Sequence, residues 1–495
     1  MAIKNVHPLL KVVPLTTETS DYLPMISDDL STVNEKVSDE ERLISSVAAL
    51  LVNLDEDEQN NGFNKSMIQG LIHRVDSIIN DQVNEVLHAP EFQRLESTWC
   101  SIDDLIKNTN FRANIKIDLF DADKEEIAED FECNSSDMTG SALFKKVYTE
   151  EYDQYGGEPY GSIIGLYEFK HTPKDIEWLK NMSKLAAASH SPFTASVGPQ
   201  FFGCNTAEEL SNIKDLEGLM KHPKYGGWNA FRETDEAAYI ALTLPRYMVR
   251  LPYDPVNNPA GNILRSFKED TSGHDNKGYL WGNASMLFAR NLVRAFENTG
   301  WCQSIRGPKG GGEISGLPVH TFNTRGQEEI KIPVEFAIPD YRELEFANSG
   351  FMPLIYQKGS ANACFFSTQS LRAPEEFVDP KDSENAKLVT NLAYTMSVTR
   401  IAHYVKRMMR DNIGSSAEQN YIQKQMTSWV NNYVSEITNP DDITIGRFPF
   451  KKADVSVTPT PGEPGWFHCS FRILPHIQFE GMNAELRLDT RLDGN

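Results

Sequence analysis

Ser162–Gly198 reads S-I-I-G-L-Y-E-F-K-H-T-P-K-D-I-E-W-L-K-N-M-S-K-L-A-A-A-S-H-S-P-F-T-A-S-V-G. Ser162–Phe169 is a short apolar run, as a buried strand requires. Thr172–Ser189 is a helix with an alanine-rich end, and Phe193–Gly198 returns as a strand. With a further helix over Ser141–Glu151, the order helix, strand, helix, strand indicates a layered lobe. The expected fold class is α/β, with mixed α+β elements around it.

Upstream, Ala113–Leu119 alternates (Ile115, Ile117, Leu119) and reads as a strand, and Asp121–Phe131 as an acidic amphipathic helix. Pro90 to about Thr109 fits a helix. The most regular helix precedes it: Ile68, Leu71, Ile72, Val75, Ile78, Ile79, Val83, Val86 and Leu87 keep i, i+3, i+4 spacing up to Pro90. Such a stripe is core or a partner-helix seam. Ser38 opens an earlier helix in capping-box style, with Leu43, Ile44, Val47, Leu50, Leu51 and Leu54 as its apolar face. Residues 1–35 read as a free arm, or one that orders against another chain.

Downstream, Tyr239–Leu244, Val319–Phe322, Ile330–Phe336 and Cys364–Phe366 look like strands; Leu280–Glu297 and Tyr341–Ala347 look like helices. A helix is expected from near Glu384 to Gly414, followed by a second over Ala417–Val434. In the first, Val398, Ile401, Ala402, Val405, Met408, Met409 and Ile413 share one arc, and Arg400, His403, Lys406, Arg407 and Arg410 the opposite one. Ala453–Thr458, Trp466–Leu474 and Met482–Leu492 are three closing strand candidates, the last strictly alternating.

The chain has 495 residues and a formal charge of −22, from 70 acids against 48 bases. Two or three lobes are expected, and a general nucleic-acid binder is disfavoured. No run reaches the length of a transmembrane helix, and the start lacks a signal-peptide core, so a cytoplasmic protein without membrane insertion is expected. The six cysteines are widely spaced, which suggests neither zinc nor a disulfide framework.

Motifs for chemistry are missing. Residues 306–316, R-G-P-K-G-G-G-E-I-S-G, lack the G-K-[ST] ending of a P-loop, and Lys309 precedes the glycines instead of following them. A structural turn is expected. There is no H-E-x-x-H or G-x-S-x-G, and Cys100 has no histidine near it in sequence. No catalytic residue, metal site or cofactor is assigned. Long seams, strand candidates at both ends and one basic face favour an assembly component over an enzyme. The competing class is an α/β nucleotide- or sugar-binding enzyme using the 306–316 loop.

Several stretches resemble the large subunit of the type VI secretion contractile sheath, the TssC/VipB family. They are Phe92-Gln-Arg-Leu-Glu-Ser-Thr-Trp, Tyr155-Gly-Gly-Glu-Pro-Tyr-Gly, Pro245-Arg-Tyr-Met-Val-Arg-Leu-Pro-Tyr, Trp281-Gly-Asn-Ala and Gly300-Trp-Cys. Arg306-Gly with its Gly-Gly-Gly, Gly316-Leu-Pro-Val-His, Arg400-Ile-Ala-His-Tyr-Val-Lys, Arg410-Asp-Asn-Ile-Gly and Glu480-Gly-Met continue the series, over roughly residues 65–492. Two departures stand out: Trp99-Cys100-Ser101-Ile102 where the family usually has Trp-Arg-Gly-Leu, and Leu166 where it commonly has Asp.

The resemblance implies a multi-lobed fold akin to phage tail sheath, with terminal strands exchanged between subunits. It implies heterodimers with a small subunit of TssB/VipA type, stacked helically around an Hcp-type tube on a baseplate and contracting to drive tube and spike. In some systems a ClpV-type AAA+ ATPase disassembles the sleeve. A phage-derived sheath of a related injection device is the alternative, assembling without a second subunit. On this reading, residues 1–60 are the arm and partner-binding helix, 61–380 the central α/β lobes and 381–495 the C-terminal domain. Arg400, His403, Lys406, Arg407 and Arg410 are expected to face the inner tube. Trp466, Phe471, Met482, Ala484, Leu486 and Leu488 are expected in strand exchange; Ile68, Leu71, Ile72, Val75, Ile78 and Ile79 at the small-subunit interface.

Overall fold

The computed structural model describes residues 65–491, apart from 262–263, 265, 272, 376, 378, 380–382, 384–385, 388, 415–417, 438–439, 463–465, 477, 480–481 and 484–485. For 65–68, 71, 442–443 and 478–491 the backbone alone is described. The expected helix over 38–54 and the arm before it lie outside these residues. The chain divides into two compact units, one holding residues up to Ala89 with Tyr253–Asp270, the other Pro90–Pro252 with the remainder.

In the smaller unit, helix α1 (Lys65–Leu87) carries a loop pinned by buried Glu269. Its carboxylate accepts from Tyr253 N (2.8 Å) and lies 3.6 Å from His88 Nε2. Asn84 holds the same loop at Lys268 O and Asp270 N.

The larger unit is built on a six-stranded sheet. Its strands are β1 (Ile163–Phe169), β2 (Phe193–Val197), β3 (Ile240–Leu244), β4 (Glu313–Ile314), β7 (Met352–Tyr356) and β8 (Ala363–Phe365). The spatial order is β1-β2-β3-β7-β8-β4; the first four run parallel and the last two pair antiparallel. Every residue of β2 and β3 is buried, as a parallel sheet covered on both faces requires. Alternation sorts the faces: Ile240 and Leu242 join one core and Ala241 the other. On the first face lies α4 (Pro173–Ser189), burying Trp178, Leu179, Met182, Leu185 and Ala186. Thr172 caps it, accepting from Asp175 N at 3.2 Å, and His190 stops it at φ 55°. On the second face lie α5 (Ala284–Thr299) and the first turns of α7 (Leu392–Asp411).

The C-terminal part adds α8 (Gln419–Asn431) and an antiparallel sheet of β9 (Phe450–Pro459), β10 (Phe467–Pro475) and β11 (Leu486–Arg491), in that order. Ile401, Val405 and Met409 of α7, Ile422, Met426 and Val430 of α8, and Val455, Val457, Phe471 and Ile473 share one core.

The expected strand at Ala113–Leu119 does not form. Phe111–Ala113 is a 3-10 turn and Asn114 sits at φ 57°, so the segment is extended without a ladder. The expected Ser141–Glu151 helix is a single turn, Ala142–Phe144, opening into a wider π-type turn over Lys145–Thr149. Helix α3 is confined to Lys124–Cys133 because Asp123 caps it in a box with Glu126. Helix α7 begins at Leu392, not near Glu384, because Asn391 accepts from Ala393 N at 3.0 Å. Val319–Phe322 and Ile330–Phe336 shift into one hairpin, β5 (His320–Thr324) with β6 (Gln327–Lys331), turned at Arg325-Gly326 where both φ are positive.

Candidate functional site

Helix α7 has two differently occupied sides. Its apolar side faces the C-terminal core. Its basic side was expected to be open, and is largely not. Residues 148–154 lie across it. Lys406 donates to Tyr148 Oη, sits over the Tyr148 and Tyr152 rings (4.2 and 5.1 Å) and pairs with Asp153 at 3.3 Å. Burial, and then Arg410, pull its pKa down to about 8. Arg410 donates to Gln154 O (2.8 Å) and Tyr152 O (2.9 Å). The Arg400 guanidinium lies between the Phe296 and Tyr404 rings, at 4.9 and 4.8 Å.

His403 is a correction. It is 3% exposed, with Nε2 at 3.4 Å from Ser189 O and its ring beside Tyr152 and His190. Tyr152 Oη donates to His403 O at 2.9 Å. Burial, and then neighbouring His190, hold its pKa down to about 3, so the side chain is neutral. A hundred-degree step per residue placed His403 among the cations but gave no sign of the segment that covers it. Arg407 remains exposed.

The 306–316 loop is a closed turn. Gly307 N donates to Phe365 O, Phe365 N to Gly312 O, and Gly312 N to Gly307 O. Arg294 reaches Gly311 O at 2.6 Å and Glu313 O at 2.5 Å, and Asn291 reaches Gly312 O. Cations therefore meet its carbonyls, the opposite of an amide cradle for phosphate. A Cβ on Gly311 would lie 2.0 Å from Ser304 O, and φ there is +91°.

The structure exposes apolar side chains in two helical rows. On α1, Ile72, Ile79 and Val86 recur every seven residues and are exposed, with Val75 and Ile78 half-buried beside them. Ile68 and Leu71 belong to the same stripe by spacing, but their side chains are outside the described set. On α2 (Pro90–Lys107), Phe92, Leu95, Trp99 and Ile106 form an exposed i, i+3, i+7, i+14 row, with Trp99 at 59% and Leu95 at 56%. The reverse side of α2 is anchored. Leu105 packs on Met286 and Ala289 of α5, Ser101 accepts from Tyr247 Oη at 3.2 Å, and Arg290 pairs with Asp104. Arg250 grips Glu96 through two bonds of 2.6 and 3.1 Å, both side chains little exposed. The α2 row escaped the sequence reading. Its spacing is legible, but only the burial of Ser101 and Leu105 shows which side is left outside.

At the C-terminus, β11 is the outer strand of this chain's own sheet, paired with β10 from His468↔Arg491 to Ile473↔Leu486. The expected strand Met482–Leu492 is divided: Met482–Asn483 pairs with Gln478–Phe479. Phe471 is buried in the core shared with Val455, Val457 and Ile473, and Trp466 is half-buried just before β10. Ala484 lies outside the described residues. The side chains of Met482, Leu486 and Leu488 do too.

Among the described residues no two cysteines are joined in a disulfide, and burial raises the Cys100 thiol. Among the described residues no cluster suits a metal ion, and no helix is long and apolar enough to cross a membrane.

Two family models match. Residues 69–372 match VipB, described as EvpB/VC_A0108, tail sheath N-terminal domain. Residues 381–492 match its companion, the tail sheath gpW/gp25-like domain. The type VI secretion system sheath protein TssC1 of Pseudomonas aeruginosa is 39% identical over 428 residues, 86% of either chain. Among solved structures, the anti-feeding prophage baseplate is similar at 9% identity and TM-score 0.31, covering 65% of this chain and 63% of that one. A sheath tail protein from Desulfitobacterium hafniense follows at 10% identity and TM-score 0.28, covering 64% and 60%. This chain spans less than two thirds of those solved chains.

Proposed function

The chain belongs to the VipB tail-sheath family of type VI secretion, and from that premise we propose how it assembles. As a contractile-sheath subunit it builds a helical polymer of copies of itself. In our reading each copy first pairs with a small subunit of TssB/VipA type. The α1 row (Ile68, Leu71, Ile72, Val75, Ile78, Ile79) and the α2 row (Phe92, Leu95, Trp99, Ile106) supply the contact. The observation that carries this is the exposure of apolar rows on helices, with the reverse side of α2 fixed by Leu105 and the Glu96–Arg250 pair. A monomer gains nothing from exposing Trp99 and Leu95 side by side; a partner helix does.

The polymer is then linked by β11, whose backbone reaches a neighbouring copy's sheet. The sleeve surrounds an Hcp-type tube on a baseplate, with exposed Arg407 available to meet the tube. The work is structural, without a chemical step of its own, and is done in the cytoplasm, with a ClpV-type ATPase as the recycler.

Co-expression with the gene of the small subunit tests the first step. Trp99→Asp with Leu95→Asp should leave a folded chain that no longer co-purifies with its partner. Retention of the partner by that variant, with Ile72→Asp and Ile79→Asp also harmless, would remove both rows from the interface. Deleting 482–495 should leave the heterodimer and abolish polymer, seen by electron microscopy; polymer that persists overturns the strand link.

A further inference from the structure

The two long edges of the C-terminal sheet differ in chemistry. His476 donates its N–H to Pro449 O at 3.0 Å, so the even-numbered residues of β10 turn their amides toward β9. In the register Asp454↔Arg472 and Ser456↔Ser470, Asp454 and Ser456 face inward. Ala453, Val455 and Val457 therefore offer their N–H and C=O groups outward. At ten residues, β9 would be an attractive template for another strand.

That outer edge is occupied along most of its length. Phe450 N donates to Tyr433 O at 3.2 Å, and Phe450 O accepts from Ser435 N at 2.9 Å. Gln423 Nε2 donates to Val455 O at 3.2 Å and Gln419 Nε2 to Val457 O at 2.6 Å. Pro459 has no N–H to offer. The glutamines stand one turn apart on α8, whose Ile422, Met426 and Val430 are sunk in the core. An incoming strand would have to displace both amides, which sit on a helix anchored in the core by Ile422, Met426 and Val430.

We propose that Gln419 and Gln423 are edge guards. They close the β9 edge to strand addition by a second copy of this chain, so the sheet exchanges strands on its β11 side alone. This rests on the reading that copies are linked by strands. The guards give the linkage a direction: an edge that pairs with any neighbour would make branched or off-register aggregates instead of one sleeve.

The test uses the full-length chain with its small subunit, in the double variant Gln419→Ala, Gln423→Ala. Under the electron microscope the double variant should shift from the parent's single sleeves to branched or off-register aggregates. Ala453→Pro, which removes an outward N–H, should reverse the shift when added; Ala453→Lys should do so independently if the proline variant does not fold. A double variant that forms the parent's single sleeves overturns the proposal. So does self-association that neither change at Ala453 reverses, since that marks a merely loosened domain. Loss of polymer on deleting 482–495 reports on strand exchange itself and does not depend on the glutamines.

Discussion

Buried His403 should make this protein lose stability on mild acidification, and one substitution should remove that residue's share of the loss. In the fold its imidazole is held neutral, with a pKa of about 3, by burial and then by His190. In the unfolded chain it titrates near the ordinary value of 6.5. Between those values the unfolded state binds the proton and the native state does not, so stability is full above 6.5 and falls as pH drops toward 3. From pH 7.5 to 5.5 the loss assigned to this residue is about 1.4 kcal/mol, one unit below the unfolded pKa. His190 and His476, whose pKa values burial also lowers, act in the same direction, so the parent should lose more than this. His403→Gln keeps a donor for Ser189 O and cannot titrate. Urea midpoints at both pH values should show the variant losing about 1.4 kcal/mol less than the parent. Any cost of the substitution common to both pH values cancels in that difference. If the variant loses as much as the parent, His403 is hydrated and protonatable, and residues 148–154 do not cover it.

Leu105→Ala should lower thermal stability by about 2–5 kcal/mol because Leu105 packs on α5, whereas Trp99→Ala, though larger in volume removed, should stay within about 0.5 kcal/mol. Arg250→Ala should cost about 3–5 kcal/mol by stranding the Glu96 carboxylate, and Glu96→Gln in the same chain should recover part of it, read by denaturant midpoints. Gly311→Ala should destabilise by more than about 1 kcal/mol, since φ is +91° and Ser304 O stands in the way. Lys309→Ala, on the exposed part of the same loop, should leave the melting temperature unchanged, and added nucleotide should not raise it in the parent.

The layered α/β lobe was legible because its signals are local. Ile163–Phe169 and Phe193–Val197 are short apolar runs, and the helix between them has a cap and a regular stripe. The turn character of 306–316 was legible from the wrong order of lysine and glycine, and Arg294 on its carbonyls gives the physical reason. What failed was non-local. Ala113–Leu119 has strand alternation but no neighbour to pair with, and alternation cannot supply one. The basic arc of α7 was correct in angle and wrong in surroundings: Tyr148, Tyr152 and Asp153 come from some 250 residues earlier. The same limit hid the α2 row, whose exposure is set by what Met286, Ala289 and Arg250 cover on the other side.

Helix α7 also bears on how such a subunit transmits force. Its 20 residues span about 30 Å without an interior glycine or proline. Leu392, Ala393 and Met396 lie in the core beneath the six-stranded sheet; Ile401, Val405 and Met409 lie in the core beneath the C-terminal sheet. One unbroken rod is thus shared by two cores, and its third side is clamped by Lys406 and Arg410 to residues 148–154. The C-terminal sheet cannot turn against the central sheet without bending that rod or opening a core, either of which costs several kilocalories per mole. The six residue pairs joining β11 to β10 are a different kind of link. Their hydrogen bonds total roughly 3–9 kcal/mol, enough to hold. Yet a paired strand fixes register along one line, without the interdigitated packing that fixes helices in three dimensions. If neighbouring copies are joined through β11, the compliance of a contracting sleeve resides in that strand and its connection, while α7 keeps each subunit's two sheets moving as one body.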